Sequence, residues 1–479
     1  MENLEALQRA LEFPWEKWSI FLHPAQRQLV EGDYSGPVRI AGSAGTGKTV
    51  VALHRAVFLA RRHPDARVLL VTFSDTLANA LRNKLRCLIN GEPRLAERLE
   101  VHALNAIGQR LYTAQFGPAK IVSTPEVQQL LQKAAAEVEG HNFSLRLLQT
   151  EWEQVVDAWQ LKTWDGYRDV LRLGRKTRLS EGQRQVLWSV FTKVRTKLEE
   201  REWITRADLF GRLAARFGET QRPPFDFTVV DEAQDVSVAQ LRFFSALGGG
   251  SANGLFFTGD LGQRIFQPPF SWKALGIEIR GRSHILRINY RTSHQILMQA
   301  DRLLGPEVTD VDGNVEDRRG TISVFNGPQP VIEMPDSPER EIKTVAEWLQ
   351  ARSSEGIAPH EIGIFVRSSA ELDRAIAAVK RAGLPHAMLD ERVAPSSGLV
   401  AVSTMHLAKG LEFRAIAVMA CDDEVMPLQA RIETVADESD LEEVYTTERH
   451  LLYVACTRAR DFLLVSGVEP ASEFLEDLQ

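Results

Sequence analysis

The stretch AGSAGTGKT, Ala41 to Thr49, decides the fold. It sets Gly42, Gly47, Lys48 and Thr49 at the spacing G-x-x-x-x-G-K-T, the signature of a phosphate-binding loop when a strand precedes it and a helix follows. Both flanks satisfy that condition: Val38 to Ile40 reads as a buried strand, and VVALHRAVFLARR, Val50 to Arg62, as an amphipathic helix. Gly42, Gly45 and Gly47 can take backbone angles closed to other residues, so successive N–H groups can point inward at phosphate oxygens while the helix dipole adds to the attraction. Lys48 is expected to bridge the outer phosphates and Thr49 to hold Mg²⁺.

Outward from the loop the α/β pattern repeats. RVLLVTF, Arg67 to Phe73, is a second strand, followed by a helix from about Asp75 to Asn90, and Leu99 to Tyr112 continues the series. Strands alternating with helices of this length imply a parallel sheet. Further on, FTVVD, Phe227 to Asp231, is a buried strand that ends in Asp231 and Glu232. In a chain with a phosphate loop, a carboxylate at such a strand end is the second Mg²⁺-side ligand, and Glu232 beside it can orient or deprotonate water. Leu255 to Thr258 runs into Asp260 and Gln263, with Phe266 after them, at an edge that faces the ligand crevice. Upstream, Gln26 in LHPAQRQLV offers one amide donor and one acceptor, which suits an adenine edge. Glu2 to Leu11 reads as a short helix and Pro14 to Trp18 as a bend.

Between about Thr113 and Thr205 the strand signal stops. This segment reads as an inserted all-helical subdomain rich in tryptophan: Trp152, Trp159, Trp164, Trp188 and Trp203. Most of these are expected to pack in a core, with one or two free to stack on bases. From Lys162 to Arg206 twelve basic residues, Arg172, Arg175, Lys176 and Arg178 among them, stand against six acidic ones. A solvated helix face and a phosphate-facing one both explain that run. A second α/β unit begins near Ser283, with strands expected at His284 to Ile288, Thr321 to Phe325, Ile362 to Arg367, Val400 to Thr404, Ala415 to Cys421 and Phe462 to Ser466. It has no phosphate loop of its own. The expected division is therefore 1–112 and 206–282 for the first lobe, 113–205 for the insertion and 283–479 for the second lobe. Mobile loops are expected at Asp310 to Gly320 and Glu433 to Glu443.

The bulk numbers agree with several domains, since 479 residues exceed the roughly 250 to 300 at which single cores stop growing. Three widely spaced cysteines, Cys87, Cys421 and Cys456, exclude a paired C-x-x-C metal site and a disulfide framework. No apolar run approaches a membrane span, and MENLEALQRALE lacks the basic head of a signal peptide, so a cytoplasmic location with no membrane partner is expected. A net charge of −7 argues against nonspecific coating of nucleic acid by the whole surface.

Eight stretches in order, LHPAQRQ, AGSAGTGKT, LLVTFSDTLANAL, VVDEAQD, FFTGDLGQRIF, LRINYRT, VSTMHLAKGLEF and LLYVACTRA, resemble the motif set of the UvrD/Rep branch of superfamily I helicases along nearly the whole chain. The resemblance implies two RecA-like parallel-sheet lobes with ATP in the cleft between them. It implies that Ser43, Ala44, Gly45, Thr46 and Gly47 line the phosphates as backbone, that Asp231 shares Mg²⁺ with Thr49, and that Glu232 is the catalytic base. By the same resemblance Gln263 senses the γ-phosphate, Arg291 and Arg458 are the arginines inserted by the second lobe, Gln26 reads adenine, Tyr290 stacks on it and Glu412 meets the ribose. The positions matching single-stranded DNA contacts are Phe73, His102, Phe266, Arg367 and His406. Two departures stand out: Val50 replaces the arginine that commonly follows G-K-T, and only about thirty residues separate Arg367 from VSTMH, where the nearest family members insert a large accessory subdomain.

The implied function is an ATP-dependent 3′ to 5′ single-strand DNA translocase and helicase acting on single-stranded and tailed duplex DNA. An ATP-gated DNA-binding subunit that controls a partner nuclease is the alternative. An RNA motor ranks below both, because the GD-x-x-Q and NYR motifs resemble the DNA branch. A start this close to Gln26 is compatible with a chain cut from a longer protein, and the end soon after the last motif leaves no space for a fused nuclease.

Overall fold

The computed structural model describes residues 21–140, 143–170, 179–220, 222–267, 270–305, 307–318, 320–389, 398–433 and 438–479. The helix and bend expected within 2–18, the quartet Arg172, Arg175, Lys176 and Arg178, and part of each expected mobile loop lie outside the described residues.

The first strands in chain order are β1 (Val38–Gly42), β2 (Val68–Thr72), β3 (Leu99–Ala103), β4 (Lys120–Ile121), β5 (Trp203–Ile204), β6 (Phe227–Val230), β7 (Leu255–Gly259) and β8 (Ser283–Leu286). Six of them form one parallel sheet in the order β3-β2-β6-β7-β1-β8. β1, β2 and β7 are buried at every position, which is why continuous apolar runs marked them in the sequence. Successive side chains leave a strand on opposite faces, and β2 shows the result: Val68 and Leu70 join one core with the helix Lys48–Arg62, while Leu69 and Val71 join another with the helices Leu104–Phe116, Arg206–Thr220 and Val238–Gly248. Helices thus cover both faces of the sheet, and its functional edge is the row of strand C-termini.

The insertion has its own core, in which Leu131, Val156, Tyr167 and Phe191 are fully buried. Its helices Thr124–Ala136 and Glu181–Glu200 open with capping boxes at Ser123 and Ser180. Trp152 is buried in this core, Trp164, Trp188 and Trp203 pack against it, and Trp159 packs on the first sheet's core. The segment is not strandless: β4 and β5 form a two-residue parallel ladder, too short to register as a pattern.

The remaining strands are β9 (Ile288–Asn289), β10 (Glu307–Thr309), β11 (Val315–Asp317), β12 (Ile322–Ser323), β13 (Val331–Glu333), β14 (Ile362–Val366), β15 (His386–Met388), β16 (Val400–Thr404), β17 (Phe413–Val418) and β18 (Ala459–Ser466). A second parallel sheet has the order β13-β18-β17-β14-β16-β15. Two expectations are corrected here. β8, assigned from sequence to the second unit, pairs with β1 from Arg39↔Ser283 to Gly42↔Leu286 and so extends the first sheet. The strand expected at Thr321 to Phe325 shrinks to β12, which pairs with β9 in a separate two-stranded sheet. The second sheet is instead completed by β13 and β15, three-residue edge strands absent from the sequence reading. Strand partnership is a long-range property, and strands this short carry no periodicity that reveals it.

Candidate nucleotide and single-strand site

The phosphate loop joins β1 to the helix Lys48–Arg62 and lies under the segment that follows β8. Asn289 Nδ2 donates to Ala44 O at 2.8 Å, and the Tyr290 N–H donates to Gly45 O at 2.9 Å. Gly45 and Gly47 have φ of 80° and 84°. A Cβ at Gly45 would stand 2.4 Å from Asn289 Oδ1, and one at Gly47 would stand 2.6 Å from Gln26 Nε2. The angle calls for glycine at both positions, and at Gly45 the buried Asn289 amide closes the space as well.

Lys48 folds back on its own loop, donating to Gly42 O at 2.7 Å and Ser43 O at 2.9 Å, with Asp260 Oδ2 3.9 Å away. Burial lowers the Lys48 pKa. Thr49 Oγ1 donates to Asp231 Oδ2 at 2.8 Å and Thr258 Oγ1 to Asp231 Oδ1 at 2.6 Å. Burial, with the Glu232 charge beside it, raises the Asp231 carboxyl. Glu232 is in the left-handed region at φ 57° and accepts from Gln234 Nε2 at 2.5 Å. Desolvation works against its charge, but Lys409, Lys48 and Arg458 outweigh it and hold the carboxyl below its ordinary range.

These groups open on a cleft enclosing about 830 Å³, solvent at its mouth included, lined by Gln26, Ala44, Gly45, Gly47, Lys48, Thr49, Glu232, Gln263, Tyr290, Arg291, Glu412 and Arg458 among others. Gly42, Ser43, Thr46 and Asp231 are not part of that lining. Arg458 Nη2 donates to Gln263 Oε1 at 2.9 Å, and Gln263 Nε2 donates to Asp260 Oδ2 at 2.7 Å, so one hydrogen-bonded chain crosses from the second lobe to the first. Burial lowers Arg458 to about 10, with Arg291 adding to the effect. Arg291 pairs with Glu412 at 2.8 Å. Gln26 donates from Nε2 to Thr46 O at 2.9 Å and accepts the His23 N–H at 3.0 Å.

The donor set fits a Mg²⁺-bound nucleoside triphosphate. The loop is a cradle that a Cβ would fill, Ser43 Oγ is buried without a partner, and one carboxylate with one hydroxyl is the sparse ligation Mg²⁺ accepts when phosphates supply the rest. Among the described residues no cluster of three or more metal-ligating side chains gathers.

Of the five positions matched to single-stranded DNA, three come together. Phe73 and Phe266 stack at 5.0 Å and 11°, and His406 lies 6.5 Å from Phe266. Burial pushes His406 down to about 4, Arg367 adding to it, so its ring is neutral. Arg367 is 5% exposed and bidentate to Glu448 at 2.5 and 2.6 Å, an internal ion pair in this conformation. His102 pairs with Glu100 at 3.0 Å. Lys409 escaped the sequence reading although it lies inside VSTMHLAKGLEF. Its amine is 2.6 Å from Asp235 Oδ2, donates to Gln263 O at 2.5 Å, and stands 5.7 Å over the Phe266 ring. Tyr453 and Arg318 were also missed. The Tyr453 hydroxyl accepts from the Ala44 N–H at 3.4 Å, and Arg318 bonds both Tyr453 and Asp260. Tyr453 showed only as one hydroxyl in the apolar run LLYVA, and Arg318 lay in the charged run EDRR, which singles out neither of its arginines.

A phosphate loop and its acidic strand end in one parallel-sheet lobe, met by arginines from a second, define a two-lobed phosphate-loop architecture. Comparison with known proteins narrows the class: the family described as UvrD/REP helicase N-terminal domain matches residues 22–272, and the UvrD-like helicase C-terminal domain matches residues 391–469. The chain belongs to the UvrD/Rep-like superfamily I helicases. It is 25% identical over 376 residues to the ATP-dependent DNA helicase UvrD2 of Mycobacterium bovis, covering 73% of this chain and 53% of that protein. Identity to a probable DNA helicase of Mycoplasma pneumoniae is 23% over 481 residues, covering 94% of this chain and 84% of that protein. The chain thus spans about half the length of the UvrD2 relatives it matches.

Proposed function

We propose that the chain is an ATP-dependent single-strand DNA translocase and DNA helicase that moves 3′ to 5′, with the polarity resting on the family reading alone. The observation that carries the coupling is the position of Lys409, whose single amine touches Asp235 next to the Mg²⁺-side strand end, the carbonyl of Gln263, and the face of Phe266.

In this reading Thr49 and Asp231 hold Mg²⁺, and the loop N–H groups with Lys48 hold the phosphates once Lys48 releases Gly42 O and Ser43 O. A bound Mg²⁺–ATP supplies the hydrolysable phosphoanhydride. Glu232, kept ionised by three cations, accepts the proton of the attacking water. Arg458 and Gln263 meet charge that develops on the phosphoryl oxygens, the former reaching in from the second lobe. Because anion and arginines belong to different lobes, turnover changes the force that draws the lobes together, and this motion shifts His406 and Lys409 of the second lobe against the Phe73–Phe266 pair of the first. Stacking on those rings is worth about 1–3 kcal/mol per base and reads no sequence.

The test is ATP hydrolysis with and without single-stranded DNA, followed by strand displacement on duplexes with 3′ or 5′ tails. Stimulation by single strands and opening of the 3′-tailed duplex are expected. Hydrolysis indifferent to DNA would overturn the motor reading, and opening from 5′ tails would overturn the polarity.

A further inference from the structure

His23 lines the same cleft beside Gln26 and Tyr290. It caps the helix Pro24–Glu31, its Nδ1 accepting from the Ala25 N–H at 3.1 Å while its own N–H donates to Gln26 Oε1 at 3.0 Å. A ring nitrogen that accepts carries no proton, so the neutral imidazole bears its hydrogen on Nε2. Gln26 is pinned in the same way. Its Nε2 donates to Thr46 O and its Oε1 takes the His23 N–H, which leaves one amide hydrogen and one lone pair free. The His23 and Tyr290 rings stand 5.2 Å apart at 37°. Seating a base between two rings takes two contacts of about 3.5 Å each, so a base cannot enter between them, and the edge of His23 is what it offers to a base held by Gln26. Val50, on the lining of the same cleft, brings neither charge nor donor.

We propose that His23 is a base-selecting residue of the nucleotide site, its Nε2–H completing with Gln26 a donor, acceptor, donor set complementary to adenine. Adenine presents N7 as acceptor, the N6 amino group as donor and N1 as acceptor, whereas guanine presents N7 and O6 as acceptors and an N1–H donor. Against guanine the Gln26 lone pair faces O6 and the His23 Nε2–H faces N1–H, two like-with-like contacts. A site that leaves polar groups unpaired discriminates more strongly than one that merely loses contact. The inference rests on the nucleotide reading above.

The test is calorimetric binding of Mg²⁺–ADP, Mg²⁺–GDP and inorganic tripolyphosphate to the full chain and to His23→Asn, which keeps a capping oxygen for the Ala25 N–H and removes Nε2–H. Wild type is expected to prefer ADP. His23→Asn should lose about tenfold in ADP affinity, the worth of one hydrogen bond, with GDP affinity equal or higher and tripolyphosphate affinity within about twofold. An ADP-over-GDP preference unchanged in the variant overturns the proposal while the nucleotide reading stands. Parallel loss of all three ligands also overturns it, since His23 would then act only through the loop. Wild type binding neither diphosphate overturns both.

Discussion

Replacing Lys409 by Met removes a cation from a buried contact while keeping its volume. Its side chain is 5% exposed and that of Asp235 fully buried, with 2.6 Å between Nζ and Oδ2. Charges at that separation attract by about 6 kcal/mol at an effective dielectric of roughly 20. Desolvation offsets part of this, so loss of one partner of a buried pair costs about 3–5 kcal/mol. Parting of the lobes would hydrate Asp235, which makes that range a ceiling. The pH dependence identifies the cause. Burial raises the Asp235 carboxyl to about 6 from an ordinary 3.8 even beside Lys409. A folded-state pKa above the unfolded one means the native protein binds the extra proton, so the carboxyl's destabilising effect is absent below about pH 4 and grows as pH rises through 6. Without Lys409 the folded value climbs further, and the variant holds a neutral Asp235 at pH 5 but confronts an unpaired anion at pH 8. Thermal melts of wild type, Lys409→Met, Asp235→Asn and the double variant at both pH values measure this. The expected pattern is a large loss for Lys409→Met at pH 8, a small one at pH 5, and recovery at pH 8 in the double variant. Equal losses at the two pH values, or no recovery, would refute the reasoning.

Lys48→Ala should abolish ATP turnover, since the loop loses its cation against the developing phosphate charge; wild-type rates in that variant would remove Lys48 from the mechanism. Glu232→Gln should stop turnover but keep nucleotide binding, and a filter-retention assay should find its DNA complex longer-lived with ATP than without. Arg458→Ala and Arg291→Ala should each slow steady-state hydrolysis by about 10³ or more with ATP affinity less affected, and losses under tenfold in both would show that another group completes the site. Phe266→Ala should weaken single-strand binding by about 1–3 kcal/mol in a fluorescence titration, with little dependence on base sequence.

The phosphate loop and the acidic strand end were legible in the sequence because each is a local device, whereas the second-lobe arginines were reached only through the resemblance of their motifs to the family's. Gly45 and Gly47 answer to backbone angles, Asp231 to the end of an apolar run, and Lys48 and Thr49 to their place at the first two positions of a helix. The two parallel sheets were legible for the same reason, since strands buried on both faces read as apolar runs. Nothing local says which strand lies beside which, so β8 was placed in the wrong sheet and β13 and β15 went unseen. Side-chain partnership across the cleft was equally out of reach. The tertiary structure alone decides that Arg367 is spent on Glu448, that Phe73 faces Phe266, that Lys409 links Asp235 to the aromatic stack, and that His23 stands where Val50 offers no cation. Each of these joins residues far apart in the chain or turned toward one another by a cap, and their energies come from burial and hydrogen-bond geometry, which exist only once the lobes have packed.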